Sequence, residues 1–373
     1  MRVLICGGGV IGASTAYFLA RRGVKSVVIE RTALACAASG KSGGFLAHDW
    51  CDGTPLEALA RRSFMLHAQL ADEIADEWGY RRLETFAATV GEMRQQSARA
   101  SDLQWVADDV SIKRRLGSAA TTAQVHPGQF TAAMMRAAQE NGAELRFGHV
   151  TGLVRDAGCV AVRGVAIESE IIAGDAVVIA MGPWSAIAAN WLGLAGVSGQ
   201  KGHSLVYETR ESLPPHALFL EYRDATGIVH EPEVLPRVDG TVYVCGSSNN
   251  DALPNDPAEV SPDPGAIQCL EAMCARMLPS FRASDVIARQ ACYRPMTPDG
   301  LPLLGPVSGI NGVYMATGHG SWGILNAPAT GEALAEWIID GTSHTLDLSR
   351  FDPGRFRPES EPRRESSTKS GAA

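Results

Sequence analysis

Apolar and polar positions along the first thirty residues follow a strand–helix–strand order. Residues 2–6 (RVLIC) form a short run that is apolar after its first position, as in a buried parallel strand. Apolar residues recur with helical spacing over 13–22, and Gly23 then supplies a C-terminal glycine cap. A second apolar run covers 25–30 (KSVVIE). This pattern predicts a βαβ unit, with a glycine-rich turn over 7–12 between its first strand and its helix.

The rest of the chain mixes helical and strand-like patterns. Helical spacing predicts four further helices, over 56–77, 130–141, 263–278 and 328–339. Apolar or alternating runs predict strands over 145–150, 159–172, 176–180 and 313–316. The stretch 201–247 has the short alternating runs and turns of an antiparallel sheet. Residues 82–121 are polar and mixed, and the pattern assigns no elements to them.

Composition excludes several classes of protein. The 373 residues indicate roughly two domains at about 150 residues each. A net charge of −8 without a long basic run argues against binding to nucleic acid or an anionic membrane. The sequence contains no stretch of about 18 apolar residues, so no membrane span is expected. The eight cysteines form neither a CxxC pair nor a zinc-finger spacing, which predicts a reduced, cytoplasmic protein without a metal site.

The turn after the first predicted strand carries a G-x-G-x-x-G motif in Gly7, Gly9 and Gly12. Gly7 suits the tight turn, Gly9 lets a pyrophosphate approach the backbone, and Gly12 allows close packing of helix and strand. The helix N-terminus offers N–H groups to the phosphates. Glu30, at the end of the second strand, can accept hydrogen bonds from a ribose and would repel a 2′-phosphate. The motif therefore predicts FAD or NAD(H); the alternative is a glycine-rich turn without a ligand.

Seven segments along the chain extend this interpretation. They are GGGVIGASTAYFLARRG at 7–23, ER at 30–31, ASGKSGG at 38–44, VHPGQF at 125–130, DAVVIAMGPWS at 175–185, RPMTPDGLPLLGP at 294–306 and ATGHGSWGILNAPATG at 316–331. In this order the sequence resembles the superfamily of FAD-dependent oxidoreductases that contains D-amino acid oxidase, glycine oxidase and sarcosine oxidase. The resemblance covers nearly the whole chain except its C-terminal tail, and it implies FAD as the cofactor.

The resemblance implies an α/β (α+β) fold class, in which a Rossmann-like FAD-binding domain is interleaved with an antiparallel β-sheet substrate domain. The FAD-binding domain is expected to be discontinuous, over 1–85, 122–200 and 291–347. The substrate domain is expected over 86–121 and 201–290. Residues 352–373 are rich in Pro, Arg, Glu and Ser, and they are expected to form a disordered tail.

Carried over residue by residue, the resemblance implies four groups of contacts with FAD. The phosphate loop is expected at Gly7, Gly9, Val10, Ile11 and Gly12. The adenosine side is expected at Glu30, Arg31 and Val150. The path toward the flavin is expected along Ser39, Gly40, Lys41, Ser42, Gly43 and Gly44. Gly182 and Trp184 are expected to contact FAD as well. The turn at the pyrimidine end of the flavin is expected at Gly318, His319, Gly320, Ser321, Trp322 and Gly323, where backbone N–H groups would stabilise a negatively charged reduced ring.

The candidate catalytic residues are Arg294, His48 and His319. Arg294 matches a basic position near flavin and substrate, where a guanidinium can hold a carboxylate or stabilise an anionic flavin; the alternative is an ion pair at the surface or between domains. His48 follows the glycine-rich loop, and its alternative is a structural hydrogen-bonded residue. Cys292 matches the position that bonds covalently to the flavin in sarcosine-oxidase-like members. Two alternatives therefore stay open for Cys292: it forms a covalent link to the flavin, or it is a small buried residue of the core.

The resemblance implies a small-molecule amine or amino acid as substrate and O2 as co-substrate. The expected reaction moves a hydride from the C–H next to nitrogen to flavin N5, which gives an imine, and O2 then reoxidises the flavin to give H2O2. No position matches the lysine that promotes the oxygen reaction in sarcosine-oxidase-like members. A dehydrogenase, or an oxidase that forms a C=N bond within a heterocycle, stays open for that reason. The alternative from another class is a non-catalytic flavin-binding redox sensor or scaffold. The oligomeric state is not predicted.

Overall fold

A computed structural model describes residues 1–91, 103–168, 170–194, 196–209, 212–282 and 285–356. Its helices are α1 (Val10–Arg21), α2 (Ala38–Lys41), α3 (Glu57–Glu73), α4 (Pro127–Glu140), α5 (Ser185–Leu192), α6 (Pro264–Met277) and α7 (Gly323–Asp340). Its first ten strands are β1 (Arg2–Cys6), β2 (Lys25–Glu30), β3 (Phe45–Ala47), β4 (Arg81–Arg82), β5 (Glu84–Val90), β6 (Val110–Gly117), β7 (Thr122–Gln124), β8 (Glu144–Phe147), β9 (Val150–Arg155) and β10 (Val162–Ile167). The others are β11 (Glu170–Ala173), β12 (Ala176–Ile179), β13 (Ser198–Glu208), β14 (His216–Arg223), β15 (Val229–His230), β16 (Glu233–Pro236), β17 (Thr241–Asn249), β18 (Val286–Met296), β19 (Leu303–Pro306) and β20 (Val313–Thr317).

The predicted βαβ unit forms the centre of a six-stranded sheet with the order β19-β20-β12-β1-β2-β8. All neighbours in this sheet are parallel except β19 and β20. The strand β1 is buried from its second residue onward, because helices cover one face and the small sheet β11-β10-β9 lies toward the other. The helix α1 packs against both α4 and α7. A parallel sheet of continuously apolar strands needs this cover on both faces.

The helix α7 contains a proline at position 328, and the helix α3 compensates for it. Pro328 has no N–H, so the carbonyl of Ile324 lacks its usual partner four residues ahead. His67 of α3 donates from Nε2 to that carbonyl at 3.0 Å and approaches the carbonyl of Leu325 at 3.2 Å. The N–H of Ala329 donates to Ser63 Oγ, also on α3, at 3.1 Å. The last helix was predicted to begin at residue 328. Because of these contacts it begins five residues earlier, at Gly323, and contains Pro328.

We expect His67 to make the protein less stable as the pH falls. Complete burial lowers the pKa of His67 from 6.5 to about 4, so the unfolded chain binds a proton that the folded chain excludes. The stability contributed by neutral His67 is present above pH 6.5 and is lost as the pH falls through about 4. Between about pH 7.5 and about pH 5 the loss amounts to about 2 kcal/mol.

Urea unfolding at the two pH values measures this effect. The His67→Gln variant, which keeps a donor and removes the titration, is expected to lose about 2 kcal/mol less than the wild type over the same interval. The control is His344→Gln, because the His344 side chain is 62% exposed and its ion pair with Asp340 lies at the surface, where such pairs contribute little to stability. An equal pH dependence in the wild type and His67→Gln would contradict the prediction.

The second large sheet has eight strands, in the order β18-β13-β17-β16-β14-β5-β6, with β15 paired to β14. All its pairs are antiparallel except β14 with β5. One face packs against α6 and buries an apolar cluster that includes Leu205, Val244 and Leu270. The opposite face is turned toward the carboxyl end of the six-stranded sheet, since residues from both sheets line one cavity.

The structure adds detail near three of the expected domain boundaries. Strand β5 starts at Glu84 and strand β18 runs from Val286 to Met296, so the eight-stranded sheet includes residues on both sides of the boundaries expected at 85 and 291. Asp352–Phe356 of the expected tail form turns, in which Arg355 pairs with Asp299 at 2.8 Å. Residues 357–373 lie outside the described residues. The division into two domains stays a prediction. Among the helices described, none has both the length and the apolar character that crossing a membrane requires.

Candidate active site

A cavity of about 470 Å³ lies between the two large sheets. One side of it follows the carboxyl ends of the parallel strands, where the chain leaves β1, β2, β8, β12 and β20. The other side is formed by side chains of the eight-stranded sheet. Ligands of open parallel sheets bind at this edge, because the loops that follow the strands converge there.

The glycine-rich turn after β1 leaves no space for side chains. Gly7 has a φ of +113°, and a Cβ at this residue would lie 2.4 Å from the carbonyl oxygen of Ala180. A Cβ on Gly12 would lie 2.1 Å from the carbonyl oxygen of Gly7. Gly9 precedes the first residue of α1 and lines the cavity, and its added Cβ would lie 3.1 Å from Ser39 Oγ. No acidic residue occupies the first turn of α1, so no carboxylate neutralises the positive end of its dipole, and this end can meet an anion.

Glu30 connects the glycine-rich turn to the end of β2. Its carboxylate accepts the N–H of Gly8 at 2.7 Å and the N–H of Thr32 at 2.9 Å, and it lines the cavity at 8% exposure. The thiol of Cys36 is a third, weak donor, with its Sγ 3.9 Å from Oε1 of Glu30. An ionised carboxylate offers about four acceptor positions, so at least one is left for a hydroxyl group of a ligand. The observed geometry is compatible with the ribose contact predicted for Glu30.

A short segment between β17 and α6, residues 254–257, closes one end of the cavity. Arg31 pairs with Asp256 at 2.7 Å and donates to the carbonyl of Asn255 at 2.9 Å. Trp184 Nε1 donates to the carbonyl of Pro254 at 2.8 Å. Both Arg31 and Trp184 line the cavity themselves. Arg31 and Trp184, which were both predicted to contact the cofactor, thus fix the segment 254–257 in place.

The loop that includes α2 presents backbone and small side chains to the cavity. Ser39 accepts the N–H of Val10 at 2.9 Å, and this joins the loop to the start of α1. Gly44 has a φ of +78°, and a Cβ there would lie 1.9 Å from the carbonyl oxygen of Val125. The hydroxyl of Ser42 is buried and has no partner within the described residues. Arg237 of the segment after β16 donates to the carbonyl of Ser42 at 2.9 Å, which fixes the loop against the second sheet.

The turn before α7 brings a second helix N-terminus to the cavity. Gly320, Ser321, Trp322 and Gly323 line it, and the first turn of α7 has no acidic residue. His319 also lines the cavity. Its Nε2 shares a hydrogen bond with Thr330 Oγ1 at 3.1 Å, while its buried Nδ1 has no partner in the described part of the chain. Burial lowers the pKa of His319 to about 3. The imidazole is therefore neutral, which excludes it as a proton donor near neutral pH.

The eight-stranded sheet contributes charged and thiol groups. Cys292 and Arg294 alternate on β18, Glu233 lies on β16, and Cys245 lies opposite it on β17. Burial raises the pKa of Glu233, while the charge of Arg294 and the thiol of Cys245 oppose this rise. The guanidinium of Arg294 makes no hydrogen bond or ion pair within the described residues, although its charge acts on Glu233. A guanidinium in this situation is available to an anionic ligand.

Four aromatic rings form a connected group in the cavity wall. The ring centroids of Phe45 and Trp50 are 4.9 Å apart, and Phe219 lies 5.1 Å from Phe45 and 5.0 Å from Trp50. Trp322 stands edge-on to Trp50 at 6.2 Å. Phe219, Glu233 and Cys245 were not predicted as site residues from the sequence. The alternation of β14, β16 and β17 was the available signal, but the sequence did not show which face of the sheet meets the cavity.

Most of the residues predicted for the cofactor line the cavity. These are Gly7, Gly9, Val10, Ile11, Glu30, Arg31, Ser39, Ser42, Gly43, Gly44, Val150, Gly182, Trp184, Cys292, Arg294, His319, Gly320, Ser321, Trp322 and Gly323. Gly12, Gly40, Lys41 and Gly318 lie in the same turns but do not line it. His48 does not reach it either, because its ring packs edge-on against Phe64 at 5.4 Å. The catalytic role predicted for His48 therefore has no support from the lining of the cavity, and it stays a prediction.

The cavity fits FAD in its chemistry. Two helix N-termini without acidic residues and the glycine-rich turn suit a diphosphate, and the unpartnered polar atoms of Ser42 and His319 lie along the wall. Glu30 provides acceptors for ribose hydroxyls. No group of His, Cys, Asp or Glu side chains suited to a metal ion occurs among the described residues.

Comparison with known proteins supports this assignment. The family described as FAD dependent oxidoreductase (DAO) matches residues 2–337. A Schizosaccharomyces pombe protein named as an oxidoreductase is 30% identical over 380 residues, which span 94% of this chain and 97% of that protein. Glycine oxidase of Pseudomonas aeruginosa is 29% identical over 383 residues, which span 94% and 98%. The crystal structure of glycine oxidase from Geobacillus kaustophilus shares the fold, with a TM-score of 0.80 at 23% identity, and the match covers 95% of this chain and 99% of that one.

These matches confirm the family resemblance, the mixed α/β fold class and the prediction of FAD. The family match begins at β1 and ends in α7, so it includes the glycine-rich turn, both large sheets and the second helix N-terminus. The chain belongs to the DAO family of FAD-dependent oxidoreductases.

Proposed function

We propose that the protein is an FAD-dependent oxidase of an amine or amino acid. The substrate would be oxidised at the C–H next to nitrogen to give an imine, with O2 as the final electron acceptor and H2O2 as the second product. The observation that carries this proposal is Arg294, a guanidinium on the cavity wall without a hydrogen bond or ion pair among the described residues. The glycine oxidase of P. aeruginosa, similar over nearly its whole length, supports the same class of reaction.

The chain supplies binding and orientation. When bound, FAD supplies the acceptor for the hydride of the substrate C–H bond. Gly9 and the start of α1 would hold the diphosphate, Glu30 and Arg31 the adenosine side, and the turn from Gly320 to Gly323 the pyrimidine end of the flavin. Arg294 would hold the substrate carboxylate by two parallel hydrogen bonds. The neutral His319 would act through hydrogen bonding at Nδ1 rather than by transferring a proton.

Anaerobic mixing of the yellow holoprotein with a panel of amines and amino acids tests the proposal. Bleaching of the flavin absorbance by at least one of them is expected. Peroxide formation on admitting air then distinguishes an oxidase from a dehydrogenase. Failure of every amine and amino acid to bleach the flavin would favour a redox sensor or scaffold instead.

We expect FAD to leave the protein on acid precipitation, without a covalent bond to Cys292. The thiolate is the reactive form of cysteine, and burial raises the pKa of Cys292, although the charges of Arg294 and Lys41 oppose the rise. The yellow colour should therefore stay in the supernatant for the wild type and for a Cys292→Ser control alike. Colour that stays in the wild-type pellet but leaves the Cys292→Ser pellet would establish the covalent link.

We also propose that the protein acts in the cytoplasm. All eight cysteines are free thiols in the structure, and free thiols persist where the compartment is reducing. Fractionation of the source cells, followed by detection with an antibody, measures the location directly. Recovery in an oxidising compartment, with cysteines paired, would contradict it.

A further inference from the structure

The carboxylate of Glu233 is not used by any role proposed above. It lines the cavity, and its hydrogen-bond partner is Cys245 Sγ at 3.5 Å. A thiol is a weak donor, so this contact compensates little of the cost of taking a carboxylate out of water. Arg294 acts on Glu233 through its charge, yet no ion pair joins the two side chains within the residues described. The carboxylate thus faces the cavity without a strong donor.

One of the four aromatic rings, Phe219, lies beside Glu233, and the other three line the same cavity. Phe219 on β14 is directly paired with Glu233 on β16, so both side chains project from the same face of the sheet. Phe219 contacts Phe45 and Trp50, and Trp50 contacts Trp322. Each ring offers a negatively polarised face, and a carboxylate next to such faces attracts a cation more strongly than either alone.

The cavity contains two opposite charges, those of Arg294 and Glu233, and each favours a different group on a ligand. Arg294 suits a carboxylate, whereas Glu233 and the rings suit a positive group with an apolar surface. A ligand that satisfies both therefore carries an anionic and a cationic group. A neutral side chain would leave Glu233 buried without a partner, which is unfavourable.

We propose that Glu233, with Phe45, Trp50, Phe219 and Trp322, forms a cation subsite that selects substrates bearing a positively charged nitrogen besides the amine that is oxidised. The proposal rests on the proposed function, because it specifies the substrate class of the same cavity. It makes Glu233 a specificity-determining residue.

An isosteric pair of non-oxidisable ligands tests the subsite by binding alone. The ligand 4-(trimethylammonio)butanoate, called the cationic ligand, carries a trimethylammonium group at the end opposite its carboxylate. In 5,5-dimethylhexanoate, called the neutral ligand, a carbon atom replaces that nitrogen. The two ligands therefore differ in one atom and in the charge at that end. Isothermal titration of the holoprotein is expected to show binding of the cationic ligand at least about tenfold tighter than binding of the neutral one. Equal binding, tighter binding of the neutral ligand, or no binding of the cationic ligand would overturn the proposal.

Variants assign the preference to Glu233. Glu233→Gln keeps the shape and removes the charge, and it should reduce the preference to less than about threefold, mainly through weaker binding of the cationic ligand. Phe219→Leu should reduce the preference partly. The matched control is Glu231→Gln, since Glu231 is an exposed carboxylate two residues earlier in the same segment. A preference that persists in Glu233→Gln would refute the role of Glu233.

The result is independent of the amine panel. If the panel fails but the cationic ligand binds through Glu233, the subsite holds and the oxidase assignment is wrong. If the panel succeeds with simple monoamines and the isosteric pair shows no preference, the oxidase assignment holds and the subsite is wrong. Retention of FAD and an unchanged melting temperature in Glu233→Gln exclude a loss of folding as the cause of any change.

Discussion

The Gly9→Glu variant is expected to fold but to purify without FAD. Gly9 lies at the start of α1 and lines the cavity, and even a single Cβ there would lie 3.1 Å from Ser39 Oγ. A glutamate side chain would place both bulk and a negative charge where the diphosphate is expected, and would itself satisfy the helix dipole. The affinity for FAD should fall by at least about 100-fold, or about 2.7 kcal/mol. Fluorescence titration of the apoprotein with FAD measures this change.

The matched control for this substitution is Gly265→Glu. Gly265 lies near the N-terminus of α6, and no atom lies within 4 Å of the Cβ that it would gain. The same change at a comparable helix position outside the cavity should therefore leave the protein yellow. Circular dichroism confirms that both variants are folded. A Gly9→Glu protein that retains FAD and activity would contradict the assignment of the phosphate site.

Arg294→Ala is expected to abolish the preference for carboxylated substrates and ligands. The guanidinium is half-buried and has no other strong partner in the described part of the chain, so its loss leaves a bound carboxylate unpaired. Breaking such a charge pair costs about 2–5 kcal/mol. The measurement compares KM, or the dissociation constant, for an amino acid with that for the corresponding amine without its carboxyl group.

Two features make the comparison specific. The amine without a carboxylate should show a much smaller change than the amino acid, because Arg294 has nothing to bind on it. Arg294→Lys keeps the positive charge but loses the planar fork, so an intermediate loss is expected. If Arg294→Ala weakens the binding of both substrates equally, Arg294 maintains the shape of the site and does not bind the carboxylate.

The sequence was sufficient to predict the core of the fold. The strands predicted over 2–6 and 25–30 match β1 and β2 residue for residue, because both are continuously apolar and are bounded by turns. Helix α1 starts at Val10 rather than 13, since the glycine motif continues into its first turn. The glycine-rich segments of the cavity were also found, because a turn without space for a side chain imposes a residue type that a pattern reveals.

Other features depend on contacts between distant residues and could not be read from local pattern. Helix α7 continues through Pro328 only because Ser63 and His67 satisfy the neighbouring backbone groups. Arg31 pairs with Asp256, which lies 225 residues away. Glu233 faces the cavity because of the register of β16 with β14 and β17. On the cavity side formed by the eight-stranded sheet, Cys292 and Arg294 were predicted as individual residues, whereas the contribution of β14, β16 and β17 was predicted only as a region.

The strand order of the six-stranded sheet determines when the chain can fold during synthesis. The strand β1 has β12 as its neighbour, and β12 in turn pairs with β20, which ends at Thr317. A nascent chain that stops before Thr317 lacks an inner strand and the whole of α7, so α1 lacks one of the two helices that it packs against. Pairing between segments so far apart is slow and leaves hydrophobic surface open to aggregation. Folding of this sheet therefore waits until Thr317 and the helix α7 have been synthesised, and newly made chains are expected to depend on chaperones during that interval.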